Sequence, residues 1–275
     1  MPEIQSVFPK VKVFEDFMGL VATTTISDAT AVRYNDLSLI AISGDTDMVS
    51  TVDESGGVLA FTGAGGAADG IAIITSPFVP ARGGTAVIEV RFKNSSATDF
   101  RFFCGFQETV SLTETVNPYT LSGTTLTANA AGEVAGFYYD SQASTDDFRF
   151  MAGANSSAST SARVTAGPKV NGLNSFPTTL GALGIRAGAT LTADGWMIAR
   201  VELDPDGTCR GYFGEVSMAG AQVHGPTLIA TLRRGELSTT AVYYPIVHLL
   251  AQSTGDPTPE IDYFGFSCNR DWSDD

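Results

Sequence analysis

Alternation of apolar and polar residues is the feature that most constrains the fold of this chain. Between Ala86 and Lys93, the apolar residues Ile88, Val90 and Phe92 alternate with Val87 and with charged residues. A period of two is typical of a β-strand with one buried face. Similar runs begin at Val58, Phe100, Val134, Asp147, Gly195, Gly207, Tyr243 and Pro259. The pattern predicts an all-β protein of many short strands.

Turn residues punctuate these runs and narrow the architecture. Pro205-Asp206-Gly207 separates two alternating runs and predicts a β-hairpin. Only the segment Pro226–Arg234 has the end signals of a short helix, and it fits a strand equally well. Many strands with frequent turns and no internal repeat favour a sandwich or jelly roll of two antiparallel sheets.

The expected organisation is a single sandwich with long loops and an N-terminal arm. We assign residues 1–13 to the arm, which either docks on a neighbour or frays, and residues 14–275 to one jelly-roll domain. The long loops are the polar stretch between Phe106 and Val134 and the excursion Ala154–Gly195. A division into two β domains near residues 154–195 is the rival interpretation. The residues expected inside are Ile88, Val90, Phe92, Phe103, Phe137 and Ile198.

The net charge and the lack of targeting segments argue against nucleic-acid binding, secretion and membrane insertion. The net charge is −14, with only 16 Lys and Arg, so phosphate backbones repel the chain and direct nucleic-acid binding is not expected. The N-terminal sequence lacks the basic and apolar regions of a signal peptide. No apolar run approaches the roughly 18 residues of a membrane helix. We therefore expect synthesis and folding in a cytoplasm, without membrane contact.

Residues for catalysis are sparse. The three cysteines, Cys104, Cys209 and Cys268, lie in apolar runs and are expected to be buried free thiols. The two histidines, His224 and His248, are isolated in the sequence, and the second lies in an apolar run. Each is expected to be a core or edge histidine with its hydrogen bonds satisfied, rather than a catalytic base. No nucleophile motif is present.

One segment is similar to a glycosidase motif but is incomplete. Glu260-Ile-Asp262-Tyr-Phe-Gly265 resembles the E-x-D-x-x-E strand of laminarinase-type hydrolases, and Gly265 stands where the third acid would lie. Four strand acids, Glu89, Glu202, Glu215 and Asp262, would have to be brought together by the fold. We expect a protein that is not an enzyme and has no catalytic or cofactor-binding residues.

Three short acidic pairs are candidate calcium ligands. They are Asp45 with Asp47, Asp146 with Asp147, and Asp204 with Asp206. None has the spacing of an EF-hand loop, and aspartate commonly caps its own backbone in turns. No metal site is therefore expected.

Motifs in four regions resemble capsid-associated proteins of tailed bacteriophages. They are Phe14-Glu-Asp-Phe-Met-Gly19, Gly105–Thr109, Pro118–Thr145 and Glu260–Trp272. In the last region, Asp262, Tyr263, Arg270 and Trp272 match the residues that recur at the end of those capsid-associated proteins. Arg270 and Trp272 are expected to fold back onto the sandwich. The resemblance implies a concanavalin-like jelly roll on the virion, acting as a decoration or cement protein.

The expected function is to bridge neighbouring subunits of the major capsid protein on the capsid exterior, after assembly in the host cytoplasm. A homo-oligomer, dimer or trimer, suits local capsid symmetry. The expected contact segments are Met1–Lys12 and Leu112–Glu133. The alternative is a carbohydrate-binding jelly roll on the virion surface or tail that aids host attachment, with Tyr119, Tyr138 and Tyr243 as sugar platforms.

Overall fold

The computed structural model describes residues 10–17, 24–28, 30–50, 57–63, 65–66, 69–94, 99–110, 119–122, 125–128, 132–141, 149–154, 163–166, 196–216, 226–232, 237–251 and 258–269. These residues form nineteen strands and one short helix, α1 (Pro80–Gly83). The strands are β1 Lys10–Glu15, β2 Thr24–Ile26, β3 Ala31–Tyr34, β4 Leu37–Ile42, β5 Thr46–Ser50, β6 Leu59–Gly63, β7 Gly70–Ile74, β8 Ala86–Asn94, β9 Arg101–Gln107, β10 Tyr119–Ser122, β11 Thr125–Ala128, β12 Glu133–Asp140, β13 Arg149–Ala154, β14 Arg163–Ala166, β15 Trp196–Leu203, β16 Cys209–Val216, β17 Thr227–Leu232, β18 Tyr244–Leu250 and β19 Pro259–Asn269.

Two large antiparallel sheets confirm the all-β, concanavalin-like jelly-roll sandwich. Sheet A has the order β17-β16-β15-β8-β19-β6-β5-β2, and β1 pairs with the later part of β19. Sheet B has the order β14-β13-β12-β9-β18-β7-β4-β3, while β10 and β11 form a separate hairpin. The chain passes between the sheets repeatedly, as from β8 in sheet A to β9 in sheet B. Strands distant in sequence therefore become neighbours.

The core lies between the inward faces of the two sheets. Ile88, Val90, Phe92 and Phe137 are buried there, and the rings of Phe92 and Phe102 stack with centroids 4.0 Å apart. Burying an aromatic ring of this size contributes a few kcal/mol to stability.

Phe103 and Ile198 are buried as predicted but lie on the outward faces. Phe103 belongs to a second apolar cluster on sheet B, and Ile198 packs with Val58 and Trp196 on sheet A. Their strands carry apolar residues on both faces, so alternation there predicts burial but not which face is turned to the core.

The predicted hairpin is confirmed, and the ambiguous segment forms a strand. Gly207, with φ of 82°, closes the turn between β15 and β16, where the N–H of Thr208 donates to the Asp206 carboxylate at 2.9 Å. A positive φ favours glycine because no Cβ clashes there. The segment Pro226–Arg234 contains strand β17, which pairs with β16.

The N-terminal segment enters sheet A earlier than expected. Lys10–Glu15 pairs with β19, placing Val13 opposite Phe266 and Phe14 opposite Gly265. Residues 10–13 of the expected arm are therefore sheet residues, as the alternating sequence KVKV would suggest. Residues 1–9, Arg270 and Trp272 lie outside the described residues, and the division into arm and single domain stays a prediction.

Two phenylalanines that differ in burial test the core. Phe92 is fully buried, whereas Phe14 is 67% exposed. We expect Phe92→Ala to lower the free energy of unfolding by about 3–5 kcal/mol because it leaves a cavity between the sheets. The matched variant Phe14→Ala should cost less than about 1 kcal/mol. Urea titration followed by circular dichroism measures both, and equal losses would contradict the assigned core.

Candidate functional site

The outward side of sheet A carries a dense polar surface, here called the charged face. Because side chains alternate along each strand, the residues between the core positions of β8, β15, β16 and β19 all point outward. The charged face consists of Glu89, Arg91, Lys93, Trp196, Arg200, Glu202, Asp204, Arg210, Tyr212, Glu260, Asp262 and Tyr263. Three of the four strand acids named from the sequence, Glu89, Glu202 and Asp262, are therefore on one surface. The side chain of Glu215 lies outside the description.

Arg200 holds two of these acids. Its guanidinium lies 2.6 Å from a Glu202 carboxylate oxygen and 3.5 Å from a Glu89 oxygen. Arg210 extends the chain of charges, 3.7 Å from Glu202 and 2.5 Å from Asp204. The hydroxyl of Tyr212 donates to Glu202 at 3.0 Å. The acids and bases of β8, β15 and β16 thus form one connected network.

A second group of ion pairs lies along β8 and β19. Arg91 pairs with Asp262, and Lys93 pairs with Glu260 at 3.0 Å. Both cations lie over the Trp196 ring, with Arg91 Cζ 4.6 Å and Lys93 Nζ 4.8 Å from its centroid. Glu260 and Asp262, the acids of the glycosidase-like segment, are therefore each engaged by a cation.

The network shifts the pKa values of its members. Burial alone would lower the pKa of Arg200, but the hydrogen bond and charge of Glu202 and the charge of Glu89 raise it above its usual value. The pKa of Arg210 is raised mainly by its hydrogen bond to Asp204. Burial, together with a hydrogen bond to Glu89 at 2.7 Å, raises the pKa of the Tyr263 phenol. These groups keep their protonation states, and so their orientations, around neutral pH.

One aromatic ring beside the network is open to solvent. Phe14 on β1 is 67% exposed and stacks on Tyr263 with centroids 5.6 Å apart and planes at 29°. Its register partner on β19 is Gly265, where an added Cβ would lie 3.8 Å from the Phe14 ring. The same added Cβ would lie 3.7 Å from the Glu89 carbonyl oxygen, so it would be in ordinary contact on both sides. The position that lacks the third glycosidase acid thus lies on the charged face and carries no side chain.

The outward face of sheet B is different in character, since it is apolar and buried. Its cluster includes Ile40, Ile42, Ala72, Ile74, Phe103, Val134, Tyr138, Ile246 and Leu250. Tyr138 and Tyr243 are both fully buried, so the prediction that they serve as exposed sugar platforms is wrong. The side chain of Tyr119 lies outside the description. Each buried tyrosine hydroxyl bonds a carboxylate, Tyr138 to Asp140 and Tyr243 to Glu133.

His248 lies in this apolar face. Its ring centroid is 5.7 Å from that of Phe103, and neither imidazole nitrogen has a hydrogen-bond partner among the residues that the structure describes. Burial lowers the pKa of His248 to about 3. The prediction that His248 is a core or edge residue is confirmed by its burial, but the expected hydrogen bond to its ring is not found among the described residues. His224 lies outside the described residues.

The acidic pairs named as calcium candidates have separate hydrogen-bonding roles. Asp45 accepts from the N–H of Asp28 at 2.8 Å, and Asp47 accepts from the Thr25 hydroxyl at 2.6 Å. Asp204 accepts from the Thr85 hydroxyl at 2.8 Å. In the described part of the chain, no three histidine, cysteine or acidic side chains converge on a common point. Asp146 and Asp147 lie outside it.

The three cysteines are buried free thiols, as predicted. Burial raises the pKa of the Cys104 and Cys209 thiols, and raises that of Cys268 to about 11. Thiols in this state are poor nucleophiles. Within the same described segments, no helix has the length and apolar character needed to span a membrane.

Comparison with known proteins yields only distant similarities. No protein-family model matches the chain, and no curated protein matches it. Among solved structures, a Lotus tetragonolobus seed lectin has a TM-score of 0.48 at 11% identity, covering 90% of this chain and 99% of the lectin. A Bacteroides ovatus GH16 protein of a mixed-linkage glucan PUL has a TM-score of 0.48 at 9% identity, covering 92% of this chain and 99% of that protein. A Shewanella oneidensis protein of unknown function has a TM-score of 0.45 at 16% identity, covering 97% of this chain and 89% of that protein.

The buried imidazole predicts a specific dependence of stability on pH. Because the pKa of His248 falls from its usual 6.5 to about 3 on folding, the unfolded chain takes up a proton first as the pH drops. The free energy of unfolding should therefore decrease between pH 6.5 and pH 3, with about 2 kcal/mol lost from this group between neutral pH and about pH 5. His248→Gln should lose less stability over that interval, as measured by urea titrations at each pH. Identical losses in the two proteins would show that His248 is not buried in the neutral form.

Proposed function

We propose that this protein is a non-enzymatic carbohydrate-binding jelly roll whose binding surface is the charged face of sheet A. The observation that carries the proposal is the exposed Phe14 ring, held against Tyr263, next to polar groups that are fixed by mutual ion pairs. A sugar has an apolar ring face and an edge of hydroxyl groups. A binding surface that offers one aromatic platform and a few oriented polar groups matches both parts.

The ion pairs support binding because they hold the polar groups in place before a ligand arrives. Glu202 receives bonds from Arg200 and Tyr212, and Glu89 receives one from Tyr263. Carboxylate oxygens have several lone pairs and guanidinium groups have five N–H donors, so bonding capacity is left for hydroxyl groups. Preorganised groups bind more tightly since less conformational entropy is lost on association.

Charge favours a neutral sugar over an acidic one. Arg91, Lys93, Arg200 and Arg210 are each already paired with a carboxylate. The chain as a whole carries a net charge of −14 and repels polyanions over a distance. Uronic-acid and sulfated polysaccharides are therefore expected to bind less well than neutral ones.

The same pairing argues against hydrolysis of the bound sugar. A glycosidase requires one carboxyl group that holds a proton for the leaving group, usually across from a second carboxylate. The carboxylates of Glu260 and Asp262 are each bound by a cation, and Gly265 supplies no third acid. We therefore propose binding without turnover.

The capsid role implied by the motif resemblance is our second proposal. The opening and closing motifs meet in the structure, because β1 pairs with β19 and Phe14 stacks on Tyr263. On this proposal, the protein assembles as a dimer or trimer in the host cytoplasm and bridges major capsid subunits on the virion exterior. Of the segments expected to make that contact, Met1–Lys12 and Leu112–Glu133, only residues 10–12, 119–122, 125–128 and 132–133 lie within the described residues. Co-sedimentation with purified capsids lacking this protein tests it directly.

Carbohydrate binding is tested with a panel of neutral and acidic polysaccharides in affinity electrophoresis. We expect at least one neutral polysaccharide to retard the wild-type protein. Phe14→Ala should bind that polysaccharide about tenfold more weakly, because the loss of one aromatic stacking contact lowers the affinity by about that amount. Val49→Ala is the matched control, because Val49 is an exposed apolar residue of β5 away from Phe14.

Equal mobility of the wild type and Phe14→Ala on every neutral polysaccharide would contradict the assignment of the binding surface. Capsid binding without retardation by any polysaccharide would favour the second proposal.

A further inference from the structure

We infer that the charged face binds a neutral oligosaccharide as an extended chain lying across the strands of sheet A, from Phe14 on β1 to Leu228 on β17. This inference rests on the proposed carbohydrate-binding function and adds to it the form of the ligand. The competing form is a single terminal sugar held at Phe14 alone.

The register of sheet A sets the line of the ligand. Phe14 lies opposite Gly265, and Gly265 lies opposite Glu89. Glu89 is opposite Arg200, which is in turn opposite Tyr212. Tyr212 pairs with Leu228. These six residues form one transverse row across the sheet, here called the Phe14–Leu228 row. A β-bulge shifts the register of β16 and β17 between Gly211 and Tyr212, at the last step of the row.

The two ends of the row are apolar and open to solvent. Phe14 is 67% exposed and Leu228 is 48% exposed. Only Val49 and Val242 join them as exposed large apolar side chains in the described part of the chain. Two of these four residues thus lie in one row of one sheet, which is where an elongated ligand would contact apolar surface at both ends.

The middle of the row is polar. Arg200 bonds Glu202 and lies near Glu89, and its guanidinium carbon is 5.5 Å from the Tyr212 ring centroid. Carboxylate, guanidinium and phenol groups suit the hydroxyl groups of sugars that follow one another along a chain. Gly265 adds no side chain, and Tyr263, which stacks on Phe14 and donates to Glu89, connects the apolar end of the row to its polar centre.

The row is longer than a single sugar ring. Neighbouring strands lie about 4.8 Å apart, so the five gaps from β1 to β17 span roughly 24 Å. One sugar ring cannot contact both ends over that distance. A linear oligosaccharide can, with its apolar ring faces at the two ends and its hydroxyl groups over the charged centre.

The test uses the neutral polysaccharide that binds best and its own hydrolysis fragments, ordered by length from the monosaccharide upward. Isothermal titration calorimetry on the full chain should show affinity rising with fragment length and then levelling off. Phe14→Ala should weaken short and long fragments about tenfold. Leu228→Ala should weaken the binding of the long fragments only. Val49→Ala should weaken the binding of neither, because Val49 lies four residues, or roughly 13 Å, farther along the strands than the Phe14–Leu228 row.

The outcomes separate this inference from the proposed function. Equal affinity for short and long fragments, or an unchanged affinity of Leu228→Ala for long ones, would overturn the extended chain and leave carbohydrate binding intact. If no saccharide binds, both the extended-chain inference and the proposed function fail. A wild-type dimer that dissociates in both Phe14→Ala and Leu228→Ala, seen by analytical ultracentrifugation, would instead identify a second copy of the chain as the occupant of the row.

Discussion

Packing of the inward apolar faces of the two sheets is the interaction on which the rest of this structure depends. Phe92 of sheet A stacks on Phe102 of sheet B, and similar contacts continue along β8 and β9. Once Ile88, Val90 and Phe92 turn inward, the pleat of the strand forces the residues between them outward. The position of every group on the charged face follows from this choice, because a slip of one residue would bury the charges instead.

The charges of that face contribute little to stability one by one. Partly exposed ion pairs are typically worth less than about 1 kcal/mol, because the attraction is screened and two side chains lose freedom. Their connection through Arg200 and Glu202 has a different effect, which is to restrict orientation. Restricted polar groups beside an exposed ring form a surface prepared for a polar ligand rather than one that holds the fold together.

The two outward faces of the sandwich divide the structural and the binding roles. The outward face of sheet B is apolar and buried, and a neutral His248 lies in it without a described partner. The outward face of sheet A remains polar and partly accessible. Tyr138 and Tyr243, two of the tyrosines expected to bind sugar, are buried, whereas Phe14 of β1 is exposed. Its place next to β19 turns an opening motif into part of the candidate site.

The sequence by itself determined the fold class, the Pro205–Gly207 hairpin and the burial of the core positions, because period-two alternation and turn chemistry are local properties. It also indicated that Glu260 and Asp262 share a face and that Gly265 interrupts the acidic pattern. The placement of β1 on β19, and of β8 between β15 and β19, follows from the packed fold alone. These pairings join residues far apart in the chain, so no local pattern records them. The ion-pair network and the Phe14–Leu228 row exist only because the fold selects those neighbours and that register.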